Sequence, residues 1–393
     1  MNQQGKNAIA YRINKFSITL YRHLRQQEGS LFLSPFSVFS CFTMVYAGAR
    51  GETEKQMARA LCLPVNRRSL HETLGSLIKE LNAASGKEDS QLSVANALWA
   101  DAGCSFFPEF LDLLKTMYGS ELQALDLEKD PENACRVINQ WIEKHTQKRI
   151  REVAHPGIFG PLTRLVLTNA VFFKGQWALP FDEAFTEPAP FKISPESGYG
   201  SSINVLMMRQ REAFPYMEAG GFQVLELPYE SPELSMIVFL PKKETDLPNF
   251  ETSLTLEKLT ESLKSLRTQE VEVFIPKFQF TSEFSLVEPL GSMGMRDVFN
   301  YKAADLSGMT DEKALEISEA IHKAFIDVNE EGTEAAAANL LAGCLAYDEE
   351  PPKPVPIFRA DHPFLFLIRD IRSESILFMG RVADNSAFEQ WDL

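Results

Sequence analysis

The chain has 393 residues, 45% of them apolar and 24% charged, which is ordinary for a globular protein long enough to bury a large core. Its formal charge is −15, from 39 Lys and Arg against 54 Asp and Glu. That balance argues against a nucleic-acid-binding surface and against docking on anionic membranes, both of which need a clustered excess of positive charge.

In chain order, Ile9, Ile13, Phe16, Leu20 and Leu24 recur at spacings of four, three, four and four, one apolar stripe on a helix. Gly29 follows as a stop. Ser34 before Pro35 predicts the start of a second helix reaching about Ala49, and Glu52 and Glu54 mark the turn into a third. Residues 66–88 read as another helix. Leu92 to Ala100 is mostly unbroken apolar sequence, the mark of a buried strand. Val137, Ile138, Trp141, Ile142 and His145 share one face of an amphipathic helix, and Leu165 to Phe173 is again a continuous strand. Strands then dominate, at 203–208, 222–227, 234–240 and 271–280, with Leu365 to Ile368 and Ser375 to Met379 closing the chain. In 271–280, Val271, Val273 and Ile275 alternate with Glu272 and Phe274. Helices fill the first third, strands the rest, and nothing resembles an interdomain linker. The organisation is that of one α+β domain over 1–393.

Neither a metal site nor an active site is suggested. Cys41, Cys62, Cys104, Cys135 and Cys344 are odd in number and form no CxxC pair. The histidines, His23, His71, His145, His155, His322 and His362, fall in no HExxH pattern, and no GxSxG elbow or P-loop occurs. Gly198-Tyr199-Gly200 is a lone GxG. Asp361 and His362 are adjacent, which on an extended chain points the side chains apart and makes a poor acid–base pair. Met1 to Lys6 is polar, with no secretory signal, and no Asn begins a glycosylation sequon; a cytoplasmic protein, or a secreted one whose signal lies outside this chain, fits both facts. No run of about 18 apolar residues predicts a membrane helix.

Seven ordered segments carry a resemblance over nearly the whole chain: LFLSPFSV (31–38) with GARGETEKQM (48–57), ANALWAD (95–101), INQWIEKHTQKRI (138–150), LTNAVFFKGQWALPF (167–181), VLELPYESPELSMIVFLP (224–241), VFIPKFQFTSEFSL (273–286), and finally VNEEGTEAAAA (328–338) followed by FRADHPFLFLIRD (358–370) and ILFMGRV (376–382). The chain resembles the serpins, inhibitors of serine proteases. The resemblance implies an α+β fold of three β-sheets with about nine helices and an exposed reactive-centre loop at about 330–356, with C-terminal strands over 357–382. It implies no cofactor. A heparin-type partner needs a basic helix face, and Arg67, Arg68 and His71 are too few to make one.

The resemblance also assigns roles. The hinge is Glu330, Glu331, Gly332, Thr333, Glu334, Ala335, Ala336, Ala337 and Ala338. By propensity alone the four alanines predict helix, capped by Thr333. In a segment that must thread into a packed sheet, the same residues leave nothing bulky or charged to bury, and Gly332 supplies a pivot. On insertion, Thr333, Ala335, Ala337, Asn339 and Leu341 alternate onto the core side. Asn339 stands where the family usually has Thr, and its amide needs partners once buried. Ser34, Ser37, Asn169 and His322 match the shutter that governs opening of the main sheet. Trp177, Lys277 and Glu330 match the breach where insertion begins. The family count places the cleaved bond after the seventeenth residue from Glu330, at Ala346–Tyr347, with cleavage after Leu345, or after Tyr347 and before Asp348, as alternatives. Ala346 suits elastase-like or subtilisin-like enzymes, Tyr347 chymotrypsin-like ones, and Leu345 papain-like cysteine proteases. Cys344 lies close enough to that bond to be redox-sensitive. The implied partner is a target protease held covalently by a monomer that can also form loop-sheet polymers. The alternative is a non-inhibitory member acting as carrier, chaperone or protease substrate, and the small residues of the hinge favour inhibition.

Overall fold

The computed structural model describes residues 3–63, 67–84, 90–193, 202–243, 246–312, 315–333 and 354–388. Helix α1 (Gln3–Leu24) buries all five residues of the predicted stripe. Strand β1 (Leu31–Leu33) leads into α2 (Pro35–Gly48), where Ser34 caps the helix by accepting from the Ser37 N–H and Pro35 needs no donor in the first turn. Then follow α3 (Gly51–Ala60), α4 (Arg67–Ala84), β2 (Ser90–Asp101), α5 (Pro108–Leu113), β3 (Leu122–Leu125), α6 (Pro131–His145), β4 (Leu165–Gln176), β5 (Glu187–Lys192), β6 (Ser202–Ala219), β7 (Phe222–Pro228) and β8 (Leu234–Pro241). The order ends with α7 (Leu247–Ser253), α8 (Leu256–Ser265), β9 (Arg267–Pro276), β10 (Phe278–Ser285), α9 (Val287–Ser292), β11 (Glu319–Val328), β12 (Gly332–Thr333), β13 (Ile357–Arg359), β14 (Phe364–Asp370) and β15 (Ser375–Val382). Nine α-helices are thus present among the described residues.

The strands form two hydrogen-bonded networks. One is six-stranded, in the order β10-β11-β4-β2-β3 with β12 also on β4; the other is nine-stranded, β1-β15-β14-β8-β7-β6-β9-β13 with β5 on β6. The three sheets implied by the resemblance are all here, two of them fused. The 18-residue β6 pairs with β5 and β9 along most of its length and with β7 only over Tyr216–Ala219, so one strand serves two sheets. The single strand read at 271–280 is corrected to two. The chain leaves one sheet at Pro276 and enters the other at Phe278, with Lys277 at the corner. The buried positions pass there from odd (Val271, Val273, Ile275) to even (Phe278, Phe280), a one-residue shift of phase that accompanies the change of sheet.

β4 explains its own sequence. Leu165, Leu167, Val171 and Phe173 face the main core, where α2 lies, while Val166, Ala170 and Phe172 face a second cluster built on Ile138 and Ile142 of α6. With both faces covered, every second residue must be apolar twice over, and the run is continuous. β4 and β11 are parallel neighbours from Val166–Phe172 to Glu319–Phe325. That seam, at the middle of the six-stranded sheet, positions everything described next.

Candidate functional site

The four residues expected to form a shutter do converge, at the seam. His322 of β11 and Asn169 of β4 are paired in register, and the His322 Nδ1–H donates to Asn169 Oδ1. The His322 Nε2 accepts from the Ser34 backbone N–H at 3.1 Å. Asn169 Nδ2 donates to Ser37 Oγ at 2.6 Å, and Ser34 Oγ donates to the Leu377 carbonyl at 2.8 Å. All four are fully or almost fully buried. Both imidazole nitrogens therefore have fixed, opposite roles, which only the neutral ring can fill. Burial accordingly pushes the His322 pKa down to about 3. Sequence reading missed a fifth member, Asn96 of β2. Its Oδ1 accepts from Asn169 Nδ2 and, at 3.0 Å, from Ser37 Oγ. The only sequence signal was a polar residue inside the apolar stretch 94–100.

The predicted breach residues also meet. Lys277 Nζ lies 2.7 Å from Glu330 Oε2, with the two side chains only 13% and 5% exposed. Thr186 Oγ1 donates to Glu330 Oε1 at 2.8 Å. Burial by itself would raise the Glu330 carboxyl, but the hydrogen bonds from Lys277, the backbone and Thr186 outweigh it and hold the pKa below the ordinary range. Trp177 stacks on Tyr229, with ring centroids 4.7 Å apart and planes 11° apart. Its Nε1 donates to the Asn329 carbonyl at 3.0 Å, and its backbone N–H donates to Glu331 at 2.8 Å. Phe181 N–H donates to the Glu330 carbonyl at 2.8 Å. The start of the hinge is thus tied down residue by residue.

Between these anchors the chain reverses. Asn329 Oδ1 accepts from the Glu331 and Gly332 N–H groups, and Gly332 and Thr333 then pair antiparallel with Gln176 and Gly175 of β4. Gly332 has φ +155°, and a Cβ there would strike the Gly175 carbonyl oxygen. Only glycine allows two backbones so close. Thr333 is fully buried, its hydroxyl 2.9 Å from that of Tyr229. Tyr229 is the second residue that sequence reading missed; burial pushes its hydroxyl far above the usual tyrosine range, so it remains a donor. Glu334 and Ala335–Ala338 of the hinge, Asn339 and Leu341 after them, and Cys344, Leu345, Ala346, Tyr347 and Asp348 all lie outside the described residues.

Two further expectations can be compared. Cys41, Cys62, Cys104 and Cys135 are free thiols. Asp361 and His362 do touch, Oδ1 to Nδ1 at 2.8 Å, because the chain bends there between β13 and β14 instead of running extended.

A family model described as Serpin (serine protease inhibitor) matches residues 11–385. The chain belongs to the serpin family. The leukocyte elastase inhibitor of Bos taurus is 40% identical to this serpin over 379 residues, spanning 94% of this chain and 97% of that one. The solved structure of human thyroxine-binding globulin with thyroxine bound is similar at a TM-score of 0.86 and 27% identity, covering 97% of this chain and 99% of that one. Uncleaved ovalbumin is similar at 0.84 and 28%, covering 96% and 99%.

The buried Lys277–Glu330 ion pair of this serpin is expected to carry a measurable share of native stability. Lys277→Met removes the strongest partner of a buried carboxylate and is expected to cost about 2 kcal/mol in urea unfolding. A loss below about 0.5 kcal/mol would assign the pair to the weak, solvent-screened class.

Proposed function

We propose that this serpin is a protease inhibitor that works as a suicide substrate, acting as a single-domain monomer and not as an enzyme. The observation that carries the reading is β12. Its two residues, Gly332 and Thr333, are the first rung of an antiparallel strand placed at the mouth of the β4–β11 seam. The next residues in line are the four alanines.

In the proposed sequence of events, the protease serine attacks the Ala346 carbonyl, the peptide bond breaks, and the amine of Tyr347 leaves with the C-terminal segment. Ala346 is then held as an ester on the protease. Freed at one end, the loop continues β12 down the seam, parting β11 from β4 and adding a strand to the sheet. A dozen inserted residues at ~0.5–1.5 kcal/mol net per ladder hydrogen bond release on the order of 10 kcal/mol. This equals the stability of an ordinary domain, so the native form is a kinetic trap. A strand of ~15 residues at ~3.3 Å each carries the attached protease about 50 Å. Distortion of its catalytic loop follows, and loss of one oxyanion donor alone slows hydrolysis ~10²–10³-fold.

Elastase-like targets are favoured, on Ala346 and on the 40% identity to the bovine leukocyte elastase inhibitor. Chymotrypsin-like, subtilisin-like and papain-like proteases follow, through Tyr347 and Leu345. Incubation with pancreatic elastase is expected to give a boiling-resistant band at the summed mass and a released peptide beginning at Tyr347. Clean cleavage with no complex from any of these four protease classes sinks the proposal and leaves a carrier or substrate role. The same free hinge strand entering a second molecule's seam would produce loop-sheet polymers.

A further inference from the structure

One cluster of charges outside the seam's own polar network bears on how the seam opens. Residues 146–164 return from α6 to β4 across the outer face of the six-stranded sheet. Ile150, Val153, Ala154 and Phe159 of this segment are buried in the same cluster as Ile138 and Ile142 of α6 and Ile321 and Phe325 of β11. On one side the segment is tied to α6. Asn139 Oδ1 accepts from the Val153 and Ala154 N–H groups, each at 2.9 Å, and Cys135 Sγ donates to the His155 carbonyl. On the other side it is tied to β10 and β11. His155 Nε2 is 2.6 Å from Glu283 Oε1, and Lys323 Nζ is 2.7 Å from Glu283 Oε2 and donates to the Glu152 carbonyl at 2.5 Å. The segment therefore bridges the two halves of the sheet that must separate.

We propose that His155, acting through Glu283, is a positioning residue for strand insertion: it straps residues 146–164 across the β4–β11 seam, and its release sets how fast the seam opens. This rests on the insertion reading above. Adding a strand moves β10 and β11 from β4 by one strand spacing, ~4.8 Å. A 2.6 Å contact cannot persist through that displacement while its owner stays fastened to α6.

The strap depends on protonation. His155 Nδ1 faces Glu152 Oε1 at 3.3 Å while Nε2 faces Glu283, so both ring nitrogens meet carboxylates. A neutral ring can donate to only one of them, the imidazolium to both. The other titratable or charged groups facing it are Lys323 of β11, beside Glu283, and Cys135 of α6, on which Glu132 acts in turn. The hydrogen bond to Glu283 raises the His155 pKa most; burial opposes it, and the charge of Glu283 with the hydrogen bond and charge of Glu152 add to the rise. A raised histidine pKa means that the strap is complete at low pH and loosens as pH rises through that value. With His155 46% and Glu283 28% exposed at the side chain, solvent keeps the effect modest.

The test uses the full-length protein cut in its loop by a metalloprotease, which forms no acyl-enzyme and cannot be trapped. Insertion is followed by tryptophan fluorescence and by gain of heat stability, between pH 5.5 and 8. Wild type is expected to insert about threefold faster at pH 8 than at pH 5.5. His155→Gln and, independently, Glu283→Gln are expected to insert fast at every pH, and the double variant no faster than either. Variants that keep the wild-type rate and slope overturn the proposal. If cut wild type never gains heat stability, the insertion reading itself fails and takes this one with it. Any titration of His322 is shared by all the proteins and cancels in the comparison.

Discussion

Replacing Thr333 by arginine is expected to abolish trapping while leaving cleavage of the loop intact. Thr333 is the innermost described residue of the hinge, fully buried, with its hydroxyl on Tyr229. Arginine at that position must either stay out of the seam or bury a charge beside the Tyr229 hydroxyl, which cannot neutralise it. Tyr229 offers one oxygen, and the neighbouring backbone groups of Gly175 and Gln176 are already paired. An unpaired buried charge costs about 3–5 kcal/mol. At 1.36 kcal/mol per tenfold, insertion slows at least ~100-fold. The acyl-enzyme then reaches water before its protease is distorted. Incubation with elastase should show cut protein and free, active enzyme, with almost no band at the summed mass. Thr333→Ser keeps the hydroxyl and should still trap. A boiling-resistant complex formed by the arginine variant at wild-type yield would refute the idea that Thr333 must enter the sheet.

Acid should loosen the native state through His322. Its folded pKa is pushed down to about 3 by burial, against about 6.5 for an exposed imidazole. The group therefore stabilises the native form fully above pH 6.5 and progressively less as pH falls towards 3, because the unfolded chain takes up the proton first. Between pH 7.5 and pH 4.5 that linkage removes about 3 kcal/mol. The structural reason is visible: protonating Nε2 would set a donor against the Ser34 N–H, which has nowhere else to turn. Urea unfolding of wild type and His322→Gln at the two pH values separates this term from the titration of carboxylates, which both proteins share. Wild type should lose about 3 kcal/mol more than the variant. Equal losses would mean that His322 is solvated in the native state.

Much of the molecule was legible in the order of its residues, and the reasons are specific. The stripe from Ile9 to Leu24 encodes a helix because a period of 3.6 returns the same face to the core. Ser34 and Pro35 encode the start of α2 because a cap and a missing donor are local needs. Residues 165–173 declared a strand covered on both sides. The resemblance then named Ser34, Ser37, Asn169, His322, Trp177, Lys277 and Glu330, and the fold brings them into two clusters. What stayed hidden was pairing over long distances. Asn169 meets Asn96 from 73 residues away and His322 from 153, and Tyr229 reaches Thr333 across 104. No local pattern marks Asn96 or Tyr229 as their partners, since cross-strand neighbours follow from register and sheet order. Local patterning likewise read 271–280 as one strand, because both halves alternate and only a one-residue shift of phase at Ile275 and Pro276 marks the change of sheet. The sequence by itself determined the class of fold, the family and the small-residued hinge. The tertiary structure alone decided that β11 closes directly on β4, that Gly332 and Thr333 already pair with β4 at the mouth of the seam, and that His155 reaches Glu283. Each of these depends on where distant strands come to lie, which only the packing of the whole sheet specifies.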